Sequence, residues 1–247
     1  MNTAAIPEWV VEPSPRSLAR KAGICQLLAA ITATFGEVIV PGKLLVSGNA
    51  AATAANILGH GQLFWWGFAS SVAGVLLHAA WALLLYDLFK VVNRRVMSLA
   101  VFVMLVGCSI QALASCLYLA PYVVLRSGPS LSAFTAEQLN ALALLFAKLS
   151  IYAIYVFSAF FGVWLVLIAF LIFKSTFLPR LLGVLVAVAG FAWMIYLVPP
   201  VAVRLFPLIA AASAIGEVPL ELWLIVKAVD EKKWKQQALA ATSSAIT

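Results

Sequence analysis

Charge is what this sequence has least of. Only 10% of its 247 residues are charged, 64% are apolar, and the mean hydropathy is +1.06. Soluble domains are about half apolar and a quarter charged, so a globule facing water on all sides is excluded. Histidine and cysteine are scarce as well. Cys25, Cys108 and Cys116 all fall in apolar runs without Cys/His ligand spacing, which leaves them as packing residues and gives no metal site. No H-E-x-x-H, G-x-S-x-G or paired-aspartate motif occurs, so the usual metal or nucleophile of a hydrolase is missing. His78 alone among the histidines lies within an apolar run, so heme with two axial histidines is not expected and no cofactor is called for.

What is present is a succession of apolar runs, each long enough to cross a hydrocarbon core of roughly 30 Å. They lack the alternation of barrel strands, and in lipid each backbone amide must be satisfied within its own segment, so they read as helices. Six are expected: Ala22 to Val40, ended by Pro41-Gly42; Leu63 to Phe89; Val96 to Leu125; Ala136 to Phe173; Leu181 to Leu197, broken by Pro199-Pro200; and Leu205 to Val229. Thr135 and Gln138 form a capping-box pattern at the start of the fourth, which at roughly 57 Å exceeds the bilayer. Asn49 is the N-cap of a short helix on the membrane surface in the first outer loop. The fold class is therefore all-α, a polytopic membrane bundle of six transmembrane helices.

All but Lys43, Arg126, Lys148 and Arg204 of the 16 lysines and arginines precede the first run, lie at or beyond the end of the last, or lie in the second-to-third and fourth-to-fifth connections. The positive-inside rule then sets both termini in the cytoplasm. The net charge of +7 needs no nucleic acid, because these residues anchor helix ends against membrane lipids. Trp65, Trp66 and Trp234 suit an interfacial belt. The domain reading is a polar segment over 1–15 with no cleavable signal, one membrane domain over 16–235, and a flexible tail over 236–247.

Several segments carry a family resemblance. They are Arg20-Lys-Ala-Gly-Ile24, Ala50-Ala-Ala-Thr-Ala-Ala-Asn-Ile57, Ala82-Leu-Leu-Leu-Tyr86 running to Asn93-Arg94, and Ser132-Ala-Phe-Thr-Ala-Glu-Gln-Leu139. Further on come Phe160-Phe-Gly162, Phe173-Lys-Ser-Thr-Phe-Leu-Pro-Arg-Leu-Leu-Gly183, Gly216-Glu217 and Leu222-Trp-Leu-Ile-Val-Lys227. In order over about residues 16 to 229, the chain resembles the bacterial membrane family catalogued as domain of unknown function 4386. The resemblance implies a protein of the bacterial inner membrane and carries over no catalytic residue.

Polar side chains within spans mark candidate functional residues, because a charge near the bilayer centre costs about 2.5 to 3.5 kcal/mol and is retained facing the bundle interior. Counting helical rise from the basic anchors, Glu37 lies roughly 24 Å from Lys21, His78 roughly 18 Å from Lys90, Gln111 roughly 24 Å from Arg95 and Glu217 roughly 15 Å from Lys227. These depths fall between the midplane and the outer third, where residues on spans one, two, three and six would line a pocket open to the outer side. Glu217 and Glu221 share a face of the sixth span around Pro219, whose ring frees a backbone carbonyl. The structural alternative is that Glu221 snorkels or pairs with Lys227 while Glu217 bonds to a neighbouring helix.

Three functions fit. The first is binding or transport of a small molecule or cation in that pocket. The second is an intramembrane enzyme acting on a lipid-like substrate with His78 or Glu217 as base. The third is a structural or regulatory partner of another membrane protein.

Overall fold

The computed structural model describes residues 14–243. All but the last two residues of the polar segment read over 1–15, and residues 244–247 of the tail, lie outside them. The described residues are helical with no strand, and six helices are long and apolar enough to cross a membrane.

The first of these, α1 (Pro15–Leu44), opens at Ser14, whose hydroxyl accepts the Ser17 amide at 3.2 Å. Pro41-Gly42 does not end it. Thr34–Ile39 forms a π turn in which the Val40 amide reaches back to the Phe35 carbonyl. The widened turn absorbs the proline, which has no amide to give and would crowd a carbonyl in a regular helix. The helix stops at Leu44, whose carbonyl accepts the Asn56 side-chain amide at 3.2 Å.

Asn49 caps α2 (Ala50–Gly59), accepting the Ala52 amide at 2.9 Å as its sequence position requires. Then come α3 (Gly61–Phe89), α4 (Arg94–Leu125) and α5 (Ala136–Lys174). Thr135 and Gln138 complete the capping box of α5 in both directions. Its long first half does not stand free, because α2 packs along it. α6 (Arg180–Leu197) tightens into a 3-10 turn over its last residues. Pro199-Pro200 ends that span and opens α7 (Pro199–Arg204), proline being well suited to a first helical turn.

α8 (Phe206–Val226) ends short of Val229, because Ala228 adopts a left-handed φ of 58° and turns the chain back. The chain then enters α9 (Glu231–Ser243), so residues 236–243, read as flexible tail, continue a helix. The Trp234 indole N–H donates to the Leu88 carbonyl at 2.9 Å and docks α9 on the end of α3. Gln237 accepts from both the amide and the hydroxyl of Thr176 at 3.0 Å.

The spans stand in a ring in chain order, each packed on the next, with α8 closing onto α1. Both ends of the described chain lie at one end of the ring, where Arg16 Nε is 3.9 Å from Glu231 Oε2. At this terminal end the ring is filled by Trp81, Leu85, Phe89, Met97, Trp164, Ile168 and Ile172, all nearly inaccessible. Seams close where glycines let backbones meet. A Cβ on Gly36 would lie 2.6 Å from the Gly67 carbonyl oxygen of α3, and one on Gly162 the same distance from that of Gly190 on α6. Lipid gives no hydrophobic drive between helices, so this close packing is the main source of association.

Candidate functional site

α1 and α8 touch at the terminal end, where Gly23 lies under Glu221, Leu224 and Ile225. Beyond it the π turn and Val40–Leu44 pack on α3, not on α8. The two helices therefore diverge, and a cavity of about 600 Å³ occupies the space between them. Its closed end carries Gln26 and Glu221, and its wide end is framed by Gly42, Leu45, Tyr196 and Phe206.

Two polar groups face this space. The first is held by the seam of α1, α3 and α4. Gln111 Nε2 donates to Glu37 Oε1 at 2.7 Å, while its own Oε1 accepts from His78 Nδ1 at 3.1 Å. Ser71 Oγ lies 3.4 Å from Glu37 Oε1 and 2.9 Å from Ser115 Oγ, and the hydroxyl of Ser115 is within 3.2 Å of the Gln111 carbonyl. Glu37 sits in the π turn, and Gly36 beside it permits the approach that brings Ser71 within reach. Glu37 and His78 line the cavity. Gln111 is completely buried behind them and acts on the cavity only through the two side chains it joins.

The second group lies opposite. Glu217 accepts the Trp193 indole N–H of α6 at 2.8 Å, with Ser213 one turn earlier on α8 and Gln26 on α1 beside it. Glu221, one turn nearer the terminal end, is 3% exposed, lines the cavity and has no hydrogen bond or ion pair among the described residues. It neither snorkels nor pairs with Lys227. Gln26 Oε1 and Ser213 Oγ are likewise buried without a partner.

The wall between them carries a cluster of aromatic rings. Trp193 stacks on Tyr196 at 5.8 Å and meets Phe161 edge-on at 5.8 Å, and Tyr155 lies 5.0 Å from Tyr196. These rings come from α5 and α6, spans that hold no candidate residue in the sequence reading. A pocket among spans one, two, three and six is thus corrected in its geometry. α4 stands behind the wall, and α5 and α6 form much of it.

Sequence reasoning passed over Gln26, Ser213 and Trp193. Gln26 carried a readable signal, a polar side chain inside the first apolar run. Trp193 carried none, because it is the penultimate residue of the regular part of α6, where a tryptophan reads as interfacial.

The charge balance of the cavity is one-sided. Three of the nine acidic residues, Glu37, Glu217 and Glu221, line it, and among the described residues no lysine or arginine does, although the chain carries 16.

This architecture is that of a multi-pass α-helical membrane protein with a largely apolar cavity, carrying three carboxylates, inside its ring of spans. The chain belongs to the family described as Domain of unknown function (DUF4386), whose model matches residues 21–228, the stretch that contains every residue of the cavity wall. No curated protein and no solved structure matches it significantly.

Proposed function

We propose that this protein binds a small organic cation in the cavity, as a carrier or receptor module. The observation that carries the reading is Glu221, a carboxylate buried at the closed end with no hydrogen-bond or ion-pair partner among the described residues. It lies beside Glu217 and across the cavity from Glu37, with no lysine or arginine among the described residues of the wall. A buried charge is expensive unless paired. An ammonium group supplies that pairing, and the aromatic faces of Tyr155, Trp193 and Tyr196 suit its positive charge. The size also suits a small molecule, since ligand sites run from about 300 to 1,000 Å³.

The protein belongs, in this reading, to a bacterial cytoplasmic membrane with both termini in the cytoplasm. Support comes from the basic residues clustered at the terminal end and its connections. The wide end of the cavity then faces outward.

The test is thermal stability of the purified protein with matched cationic, neutral and anionic compounds. Ammonium compounds should raise the melting temperature of the wild type, and the rise should vanish in Glu217→Gln and Glu221→Gln. If anions or neutral isosteres stabilise equally well, the reading fails.

A further inference from the structure

The divergence of α1 and α8 leaves an opening in the side of the ring as well as at its end. Thr34 and Val38 on α1, and Ala214 and Val218 on α8, line the cavity and are exposed. Val38 is 48% and Val218 41% exposed, although both belong to helices that flank a cavity. Each pair is four residues apart, so each forms one edge of a mouth. Its depth follows from helical rise. Val218 lies nine residues before Lys227, roughly 14 Å along α8, which is within a hydrocarbon core of roughly 30 Å. The mouth opens where the surroundings are lipid tails.

We propose that the ligand enters through this mouth from within the bilayer, and that it is an amphiphile with an ammonium head and a single long apolar tail. The inference rests on the cation-binding reading and adds the substrate class and the route. Head and tail match different parts of the wall. The carboxylate of Glu221 sits beyond the mouth, at the closed end, and that of Glu217 faces the cavity level with the mouth, whereas Leu27, Ala30, Val38 and Val218 are apolar. A tail lying in the mouth stays in an apolar environment while the head moves inward from the membrane interface. Lipid tails could fill the mouth without a charged head, but they would leave Glu221 unpaired. The chemistry is shared by endogenous lipids with an amine head and by foreign amines dissolved in the membrane.

The test uses the full-length protein in nanodiscs of phosphatidylcholine and measures binding kinetics of tetramethylammonium, dodecyltrimethylammonium, dodecyl sulfate and dodecanol, with the single-tailed lysophosphatidylethanolamine as a competitor. Dodecyltrimethylammonium should bind at least about tenfold more tightly than tetramethylammonium, referred to aqueous concentration, because burying methylenes adds affinity. Dodecyl sulfate and dodecanol should not compete. Val218→Trp and, on the opposite edge, Val38→Trp should slow association of the dodecyl compound relative to tetramethylammonium by about tenfold, a barrier increase near RT ln 10. Each variant is admitted only if its melting temperature stays close to wild type, and either one suffices. Competition by lysophosphatidylethanolamine would assign the site to a native single-tailed lipid, and its absence to a foreign amine; both support entry from the bilayer.

Equal binding of tetramethylammonium and the dodecyl compound, or no selective slowing in a folded mouth variant, would overturn the inference and leave the cation reading standing. Failure of every ammonium compound to bind the wild type would sink both.

Discussion

Gln111 on α4 reaches across to the π turn of α1, its Nε2 2.7 Å from Glu37 Oε1, while its other amide atom holds His78 on α3. One completely buried side chain therefore ties three spans to a carboxylate of the cavity wall. Gln111→Leu keeps much of the volume and removes both bonds. It should destabilise the protein by about 1–3 kcal/mol, the cost of leaving buried polar partners unmade. Reversible unfolding in mixed micelles measures this, and a loss well below that range would show that the three residues re-pair among themselves.

Glu221→Leu should act in the opposite sense on stability. An unpaired buried carboxylate costs free energy that an apolar side chain of similar size does not, so the variant should melt higher than wild type. The same variant should lose the response to ammonium compounds. A higher melting temperature with ligand response intact would separate Glu221 from the site.

Gly36 and Gly42 form a matched pair for testing the α1–α3 seam. A Cβ at Gly36 meets the Gly67 carbonyl at 2.6 Å and the Ser71 amide nitrogen at 2.7 Å, whereas one at Gly42 meets nothing within 4 Å. Backbone cannot yield as a flexible side chain can. Gly36→Ala should cost about 1–3 kcal/mol by overpacking and push Ser71 away from Glu37, and Gly42→Ala should be close to neutral. Parallel melting curves decide it; equal stability of the two variants would mean that the seam opens freely.

The docking of α9 should weaken in acid. Glu231 Oε1 is 2.8 Å from Lys235 Nζ, and that hydrogen bond, then the Lys235 charge, then the Arg16 charge hold its carboxyl below the usual carboxylate range, against a smaller opposing effect of desolvation. A group whose folded value is depressed contributes its stabilisation above the ordinary carboxylate value and loses it as pH falls through the folded one. Amide exchange over residues 231–243 should therefore quicken, relative to the intrinsic rate, below roughly pH 4. The effect should be small and shrink in high salt, since the pair is exposed. In Glu231→Gln this step should be missing, and a step of equal size there would assign the acid response to another group.

The number and type of the helices were legible because a bilayer imposes one length and one periodicity on every span. Caps at Asn49 and Thr135 were legible because they depend on residues three apart. Pro41 misled because its effect on a helix depends on what the preceding turn does, and a π turn leaves no mark in residue types. Glu37, Glu217 and Glu221 stood out by the cost of their burial, which composition alone reveals. Their division between two groups facing across one cavity did not, nor did the aromatic wall of α5 and α6. Both depend on where the ring of helices closes and where it parts. Trp234 looked interfacial because a tryptophan near a helix end usually is; its bond to Leu88 depends on Ala228 turning the chain back, a conformation that alanine rarely takes.

From Gln26 to Leu45 the α1 side of the cavity is 19 positions long, and both of its end residues face the same space. At 100° per residue a regular helix would leave them roughly 100° out of phase, so its far third would look toward a different neighbour. The π turn takes up about one residue without advancing the helix in phase, and roughly five whole rotations separate the two ends. The longitudinal reach of the cavity is thus a matter of angular registration. Taking one residue out of Thr34–Ile39 would leave every other side chain of α1 in the sequence while turning its last turns away from the cavity that holds the carboxylates.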